Sequence, residues 1–161
     1  MLRKVQLPAD VPGSLFLHSL PGWQEAFEQA REAIIGSDVR HVVCLTPEEE
    51  IRGKSPAYAA AIAAGLPWRH LPFPIPDFGV PADEAAFRSL AGSVAESLRK
   101  GENVLVHCAA GIGRTGTFAV AVLCQLGVAL PEARTIVHEA GSSADGDTQR
   151  SFLERICGAA R

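Results

Sequence analysis

Cys108 and Arg114 stand with five residues between them in His107-Cys108-Ala109-Ala110-Gly111-Ile112-Gly113-Arg114-Thr115-Gly116. A thiol, a guanidinium and three glycines this close together can do anion chemistry. The stretch follows the apolar run Asn103 to Val106 and precedes the apolar segment Thr117 to Leu126, so its order is strand, tight loop, helix. A loop so placed aims successive backbone N–H groups and the positive end of a helix at one point. The thiolate is the attacking form of cysteine, and a helix N-terminus favours that form. The N–H groups of Ala109, Ala110, Gly111, Ile112 and Gly113 would bind phosphoryl oxygens. The planar fork of Arg114 would hold two of them and follow the charge as it develops. Thr115 can donate a hydrogen bond to the thiolate and make it a better leaving group. His107 reads as loop support through hydrogen bonding.

Two other readings of the same residues compete. Gly111, Gly113 and Gly116 satisfy G-x-G-x-x-G, but the residues after Gly116 read as helices, so no second strand carries a ribose-binding acid. A buried structural cysteine beside a glycine turn is the plainest account. It leaves unexplained an arginine and a hydroxyl at the helix entrance. Nucleophilic attack on a phosphate monoester explains all of them.

Cleaving a phosphoester also needs a proton for the departing oxygen, and a carboxylic acid on a loop over the pocket suits that task. Asp77, in Pro76-Asp77-Phe78-Gly79-Val80-Pro81, is separated from Cys108 by one helix and one strand, as expected if both residues end neighbouring strands. Asp83 reads as a first-turn helix charge. Glu48, Glu49 and Glu50 read as a solvated acidic loop, with the alternative that one of them orients Arg114.

These residues need a scaffold, and the chain supplies alternating strands and helices. Leu15 to His18, His41 to Leu45, Trp68 to Phe73 and Asn103 to Val106 read as strands. Helical spacing runs over Trp23 to Ile35, Ser55 to Gly65, Ala82 to Lys100, Thr117 onward, Leu130 to Ala140 and Asp147 to Cys157, with Asp147 as the last cap. Ile51 to Lys54 reads as loop, and a polar loop joins Gly141 to Gly146. The fold class is α/β, with a largely parallel sheet of about four to five strands flanked by helices, and sites at the carboxyl ends of strands.

At 161 residues, with 47% hydrophobic and 20% charged, the chain reads as one domain over 1–161. Its net charge of −3 provides no basic field for nucleic acid or anionic membrane. No apolar N-terminal region suggests a signal peptide, and no stretch is long enough to span a bilayer. The four cysteines lack C-x-x-C spacing, which argues against zinc. A cytoplasmic, monomeric protein with reduced thiols and no metal or cofactor is expected.

His107 to Gly116 resembles the signature H-C-x-x-G-x-x-R-[ST]-G of cysteine-dependent protein tyrosine and dual-specificity phosphatases. From Val106 to Phe118 it looks like the tyrosine-specific version. Pro76 to Pro81 resembles the acid loop Trp-Pro-Asp-x-Gly-x-Pro of that family, with Ile75 in place of the tryptophan. Gln149-Arg150-Ser151-Phe152 resembles the Gln-x-x-Phe stretch that positions water for the second step; an exposed helical glutamine is the alternative. Some members carry a cysteine where Cys44 ends its strand, so the resemblance makes Cys44 a candidate redox partner of Cys108. A buried strand cysteine is the simpler reading of Cys44.

The resemblance implies a tyrosine-phosphatase-like fold and a phosphocysteine intermediate on phosphoprotein substrates, phosphotyrosine first and phosphoserine or phosphothreonine second. The chain's size resembles the small dual-specificity-like, kinase-associated kind. With Tyr58 as the one tyrosine, it shows no phosphotyrosine-recognition loop. The alternatives are a phosphatase of phosphoinositides, nucleotides or RNA 5′-phosphates using the same residues, and a phospho-binding pseudophosphatase.

Overall fold

Strand alternation dictates the layers. In β3 (Val39–Cys44) and the residue after it, Val43 and Leu45 pack on one face of the sheet, while Val42 and Cys44 pack on the other. In β5 (Asn103–His107), Val104 and Val106 share the first face and Leu105 the second. Period-two alternation in which both faces are apolar is the mark of a strand covered on both sides. The computed structural model describes residues 1–144 and 146–158. It holds one five-stranded sheet in the order β1-β2-β5-β3-β4. The remaining strands are β1 (Arg3–Val5), β2 (Leu15–His18) and β4 (Arg69–Pro72). β1 pairs antiparallel with β2, and every other pairing is parallel. β5, the strand that delivers Cys108, is the central one.

One face is covered by α1 (Phe27–Gly36), α2 (Glu48–Lys54) and α3 (Pro56–Ala64). The other is covered by α4 (Glu84–Arg99), α5 (Gly113–Gln125), α6 (Leu130–Glu139) and α7 (Gly146–Gly158). Phe87 of α4 sits at the centre of this second layer, edge-on to Phe118 at 5.3 Å and to Phe152 at 5.2 Å between ring centroids, with Phe73 at 5.9 Å. These rings tie three helices to the segment that follows β4. Among the described residues no helix is long and apolar enough to cross a membrane.

Several expectations need correction. Glu48 to Lys54 form a helix where a loop is expected. Its glutamates fill the first turn and Arg52 and Lys54 the last, each sign matching the helix dipole, and Arg52 pairs with Glu48 one turn away. β1 is a strand that a three-residue pattern is too short to announce. α1 begins at Phe27 rather than Trp23, and the half-exposed Trp23 ring instead lies under the Lys54 ammonium at 4.1 Å. Asp83 caps α4 by accepting from Ala86 N–H at 3.0 Å, so it precedes the first turn. Asp147 lies inside the first turn of α7 and pairs with Arg150, so it is no cap. Asp145, in the loop expected between the last two helices, lies outside the described residues.

Truncating Phe87 removes the shared partner of three rings. Phe87→Ala is expected to destabilise the chain by about 3–5 kcal/mol. Urea denaturation monitored by far-UV circular dichroism measures this.

Candidate active site

The carboxyl ends of β5, β3 and β4 are laced together. Leu45 N–H donates to His107 O at 3.0 Å, Phe73 N–H to Cys44 O at 2.8 Å and Ile75 N–H to Leu45 O at 3.0 Å. β3 lies between β5 and β4, so Cys108 and Asp77 do not end neighbouring strands as expected, yet the loops after both strands leave the same carboxyl end of the sheet. Asp77 and Cys108 reach one sheet edge, as expected from the sequence.

Four carbonyls of the loop, those of Cys108, Ala109, Gly111 and Ile112, each meet a donor. His107 Nδ1 bonds Cys108 O at 3.2 Å, and Leu20 N–H donates to Ala109 O at 2.8 Å. Arg3 Nη2 and Ser142 Oγ both donate to Gly111 O, each at 2.6 Å. Gly116 N–H and Ser143 N–H donate to Ile112 O at 2.7 and 3.2 Å. In a planar trans peptide, C=O and N–H point opposite ways. Turning these carbonyls outward therefore turns the N–H groups of Ala109, Ala110, Ile112 and Gly113 inward. Gly111 N–H donates to Cys108 Sγ at 3.2 Å. The result is an anion cradle with the sulfur at its floor.

Two glycines make the loop fit. Gly111 adopts φ +76°, and a Cβ there would stand 2.5 Å from His18 O. A Cβ on Gly116 would stand 2.6 Å from the Ser143 backbone, which lies flat on the first turn of α5.

Arg114 is 1% exposed and is aimed by three groups. Its Nη1 and Nη2 donate to the two Glu50 carboxylate oxygens at 3.0 Å each, and Nη1 also donates to Ile75 O at 2.9 Å. Nη2 lies 3.2 Å from Asp77 Oδ1. Burial works against the charge, but the Glu50 hydrogen bonds and the nearby Cys108, Glu50 and Asp77 outweigh it and raise the guanidinium's pKa. Glu50 thus orients Arg114, and the acidic run is no solvated loop. Ile75, where the family pattern has tryptophan, is buried in the core, and its carbonyl holds Arg114. Arg114 Nε and Thr115 Oγ1 are buried without a hydrogen-bond partner among the described residues. Thr115 thus has its hydroxyl uncommitted beside the cradle.

Asp77 sits on a tight turn closed by Gly79 N–H to Pro76 O at 2.8 Å, and its Oδ1 also accepts from Phe78 N–H at 3.0 Å. Gln149, on α7, is fully buried and donates from Nε2 to Gly79 O at 3.1 Å. It is therefore part of the acid-loop environment rather than an exposed helical residue. The fold brings Cys108, Arg114, Asp77 and Gln149 together from four separate elements.

His107 is fully buried, and burial pushes its pKa down to about 3. Since Cys108 O can only accept, Nδ1 carries the proton; Nε2 then accepts from Tyr58 O–H at 2.8 Å. Tyr58, in α3, is a support that sequence pattern does not reveal. Cys44 is in register with His107, but its side chain packs with the α1–α3 face while Cys108 packs with the other. Burial pushes the Cys44 thiol up to about 11, and Sγ–H lies 3.7 Å from Thr46 O.

A family model described as "Swiss Army Knife protein, DSP-PTPase phosphatase domain" matches residues 11–156. Among solved structures, kinase associated phosphatase, with its catalytic-site cysteine replaced by serine, superimposes with a TM-score of 0.83 at 16% identity. The match covers 99% of this chain and 96% of that one. Human DUSP28 gives 0.70 at 21% identity over 99% and 97%. PTPMT1 in complex with PI(5)P gives 0.69 at 22% identity over 91% and 94%. At these identities the structural likeness establishes the shared fold.

Unfolded histidine protonates near about 6.5. Held neutral in the fold, His107 binds fewer protons than in the unfolded chain between that value and about 3. Its neutral burial is therefore tolerated in full above pH ~6.5, and stability falls as pH drops toward 3. Going from pH 7 to pH 5 is expected to cost about 2 kcal/mol through this residue. Urea titrations at both pH values should show the loss in the wild type and a smaller one in His107→Gln.

Proposed function

Because the chain belongs to the DSP-PTPase phosphatase-domain family, we propose that it hydrolyses phosphate monoesters on proteins through a phosphocysteine intermediate. The observation that carries this reading is one contact: the buried Arg114 guanidinium, fixed by Glu50 and Ile75 O, also meets Asp77 at 3.2 Å. An anion holder and a proton donor share one mouth above a cysteine. Cys108 Sγ attacks phosphorus in line with the ester oxygen. The inward N–H groups of the loop and Arg114 bear the charge on the non-bridging oxygens. Asp77 delivers the proton to the departing oxygen, leaving phosphate on sulfur. In the second step Gln149 positions water, Asp77 takes its proton, and the Thr115 hydroxyl eases departure of the thiolate. The chemistry calls on no metal or cofactor.

Phosphotyrosine is the preferred substrate in this reading. Phe78 and Ile112 are 74% and 40% exposed, and they stand on the acid loop and the signature loop. Large apolar side chains on the two loops that frame the cradle suit an aromatic ring better than a serine methylene. Apart from Arg114, the signature loop offers no cation for further phosphates. We place the protein in the cytoplasm as a monomer, where its thiols stay reduced.

Hydrolysis of p-nitrophenyl phosphate should fall to background in Cys108→Ser; survival of the rate would refute the nucleophile. Asp77→Asn should lower kcat ~100-fold on phenyl phosphate and much less on p-nitrophenyl phosphate, whose leaving group needs little protonation. Equal losses on the two esters would remove Asp77 as the acid. A panel of phosphotyrosine, phosphoserine and phosphothreonine peptides, a phosphoinositide, a nucleotide and a 5′-phosphorylated RNA tests the substrate class. The peptide with phosphotyrosine is expected to have the highest kcat/KM.

A further inference from the structure

Gly111 gives the cradle its shape and also its weakest point. Without a Cβ, the Gly111–Ile112 peptide has an alternative in which it turns over and presents its carbonyl oxygen, instead of an N–H, to an anion. In the fold, that carbonyl is held by two donors from distant parts of the chain. We propose that Arg3 and Ser142 form a clamp that fixes this peptide in its anion-binding orientation and lends positive charge to Cys108. This assignment rests on the phosphatase reading above.

Arg3 belongs to the edge strand β1, where it is in register with Leu17 of β2. Its Nη2 donates to Gly111 O at 2.6 Å, and its Nη1 donates to Ser142 Oγ at 2.9 Å and to Ala140 O at 3.0 Å. Ser142 Oγ in turn donates to the same Gly111 O at 2.6 Å. The carbonyl thus has both lone pairs occupied. One guanidinium closes a ring that joins the first strand, the signature loop and the α6–α7 connection.

Three features favour a clamp over a mere tether for the N-terminal strand. The bonding pattern uses both terminal nitrogens of a rigid fork, which a lysine ammonium cannot reproduce. Gly141, at φ +88°, clears its path: a Cβ there would stand 2.9 Å from Arg3 Nη1. The charge is also felt at the sulfur. Burial lowers the Arg3 pKa, and Cys108 pulls it back up. Gly111, whose carbonyl Arg3 holds, also donates its N–H to Cys108 Sγ at 3.2 Å, so the guanidinium stands one residue from the sulfur. Arg3 is a positioning residue; Arg114 remains the group that meets the substrate.

The test compares Arg3→Ala, Arg3→Lys and Ser142→Ala with the wild type and with Lys4→Ala, an exposed neighbour on the same strand. For each, kcat and KM on p-nitrophenyl phosphate are measured beside melting temperature and the pH profile of Cys108 alkylation by iodoacetamide, which needs no phosphatase activity. Arg3→Ala should lose ~10-fold in kcat, a fraction of what removing a whole oxyanion donor does. Its alkylation profile should move to higher pH. Arg3→Lys should keep the alkylation profile and recover kcat only in part, and Ser142→Ala should lose kcat with the profile unmoved. Lys4→Ala should match the wild type. If Arg3→Ala changes melting temperature alone, the clamp is structural and the proposal falls. If Arg3→Ala does not fold, the lysine and Ser142 variants decide, and wild-type kcat in both overturns it. A wild type that hydrolyses no ester while the alkylation shift persists would sink the phosphatase reading and leave the clamp standing.

Discussion

A charge held out of water governs this molecule. Arg114 is almost wholly buried, and a buried cation is tolerated only when opposite charge and hydrogen bonds replace its hydration. Glu50 supplies both through a two-pronged carboxylate, and Ile75 O fills a further donor. These partners come from α2 and from the segment after β4, so the site exists only when both are docked against the end of β5. The same constraint explains why the acidic run after β3 folds as a helix. A glutamate needed at a fixed distance and angle is better carried by a helix than by a solvated loop.

The anion cradle follows from a second constraint, that buried carbonyls must find donors. Leu20, Ser142, Ser143 and Arg3 supply those donors from outside, and by doing so they decide which way the loop's N–H groups face. The inward set of N–H groups is therefore a by-product of satisfying the loop's own backbone. His107 works in the same way. Its burial as a neutral ring, with Tyr58 on one nitrogen and Cys108 O on the other, fixes the peptide that begins the loop.

What could be read from the sequence was whatever lies close together along the chain. The strand–loop–helix order around Cys108 and the helical spacing from Ser55 to Gly65 are local patterns, and the structure holds them, with Ser55 as the cap and Pro56 as the first residue of α3. Asp77 sits at the expected sheet edge because strand ends in a parallel sheet gather together. The supports were not legible for a physical reason. Arg3 and Ser142 meet across 139 positions and Tyr58 and His107 across 49, and one sequence does not record such meetings. Each of these side chains has an ordinary local alternative: a basic N-terminus, a loop serine, a tyrosine in an alanine helix. Glu50 falls between the two cases. Its charge was visible, its helix depended on a dipole match, and its target lay 64 positions away.

The parts of the site differ in how firmly they are held, and the difference suits the two tasks. The cradle is buried and bonded on several sides, which in the proposed reaction preorganises donors for charge that develops on phosphoryl oxygens. Asp77 is 55% exposed, on a short turn whose ties are the Arg114 contact, its own backbone and Gln149. In the proposed reaction Asp77 gives up a proton and must regain one from solvent, which a fully buried carboxyl does slowly. Ile75 joins the two regimes: its side chain is locked in the core, its carbonyl steadies Arg114, and the acid turn begins at the next residue. Displacing Ile75 would therefore disturb the aim of the guanidinium and the approach of the acid together, which is why the segment enters the turn from a buried residue.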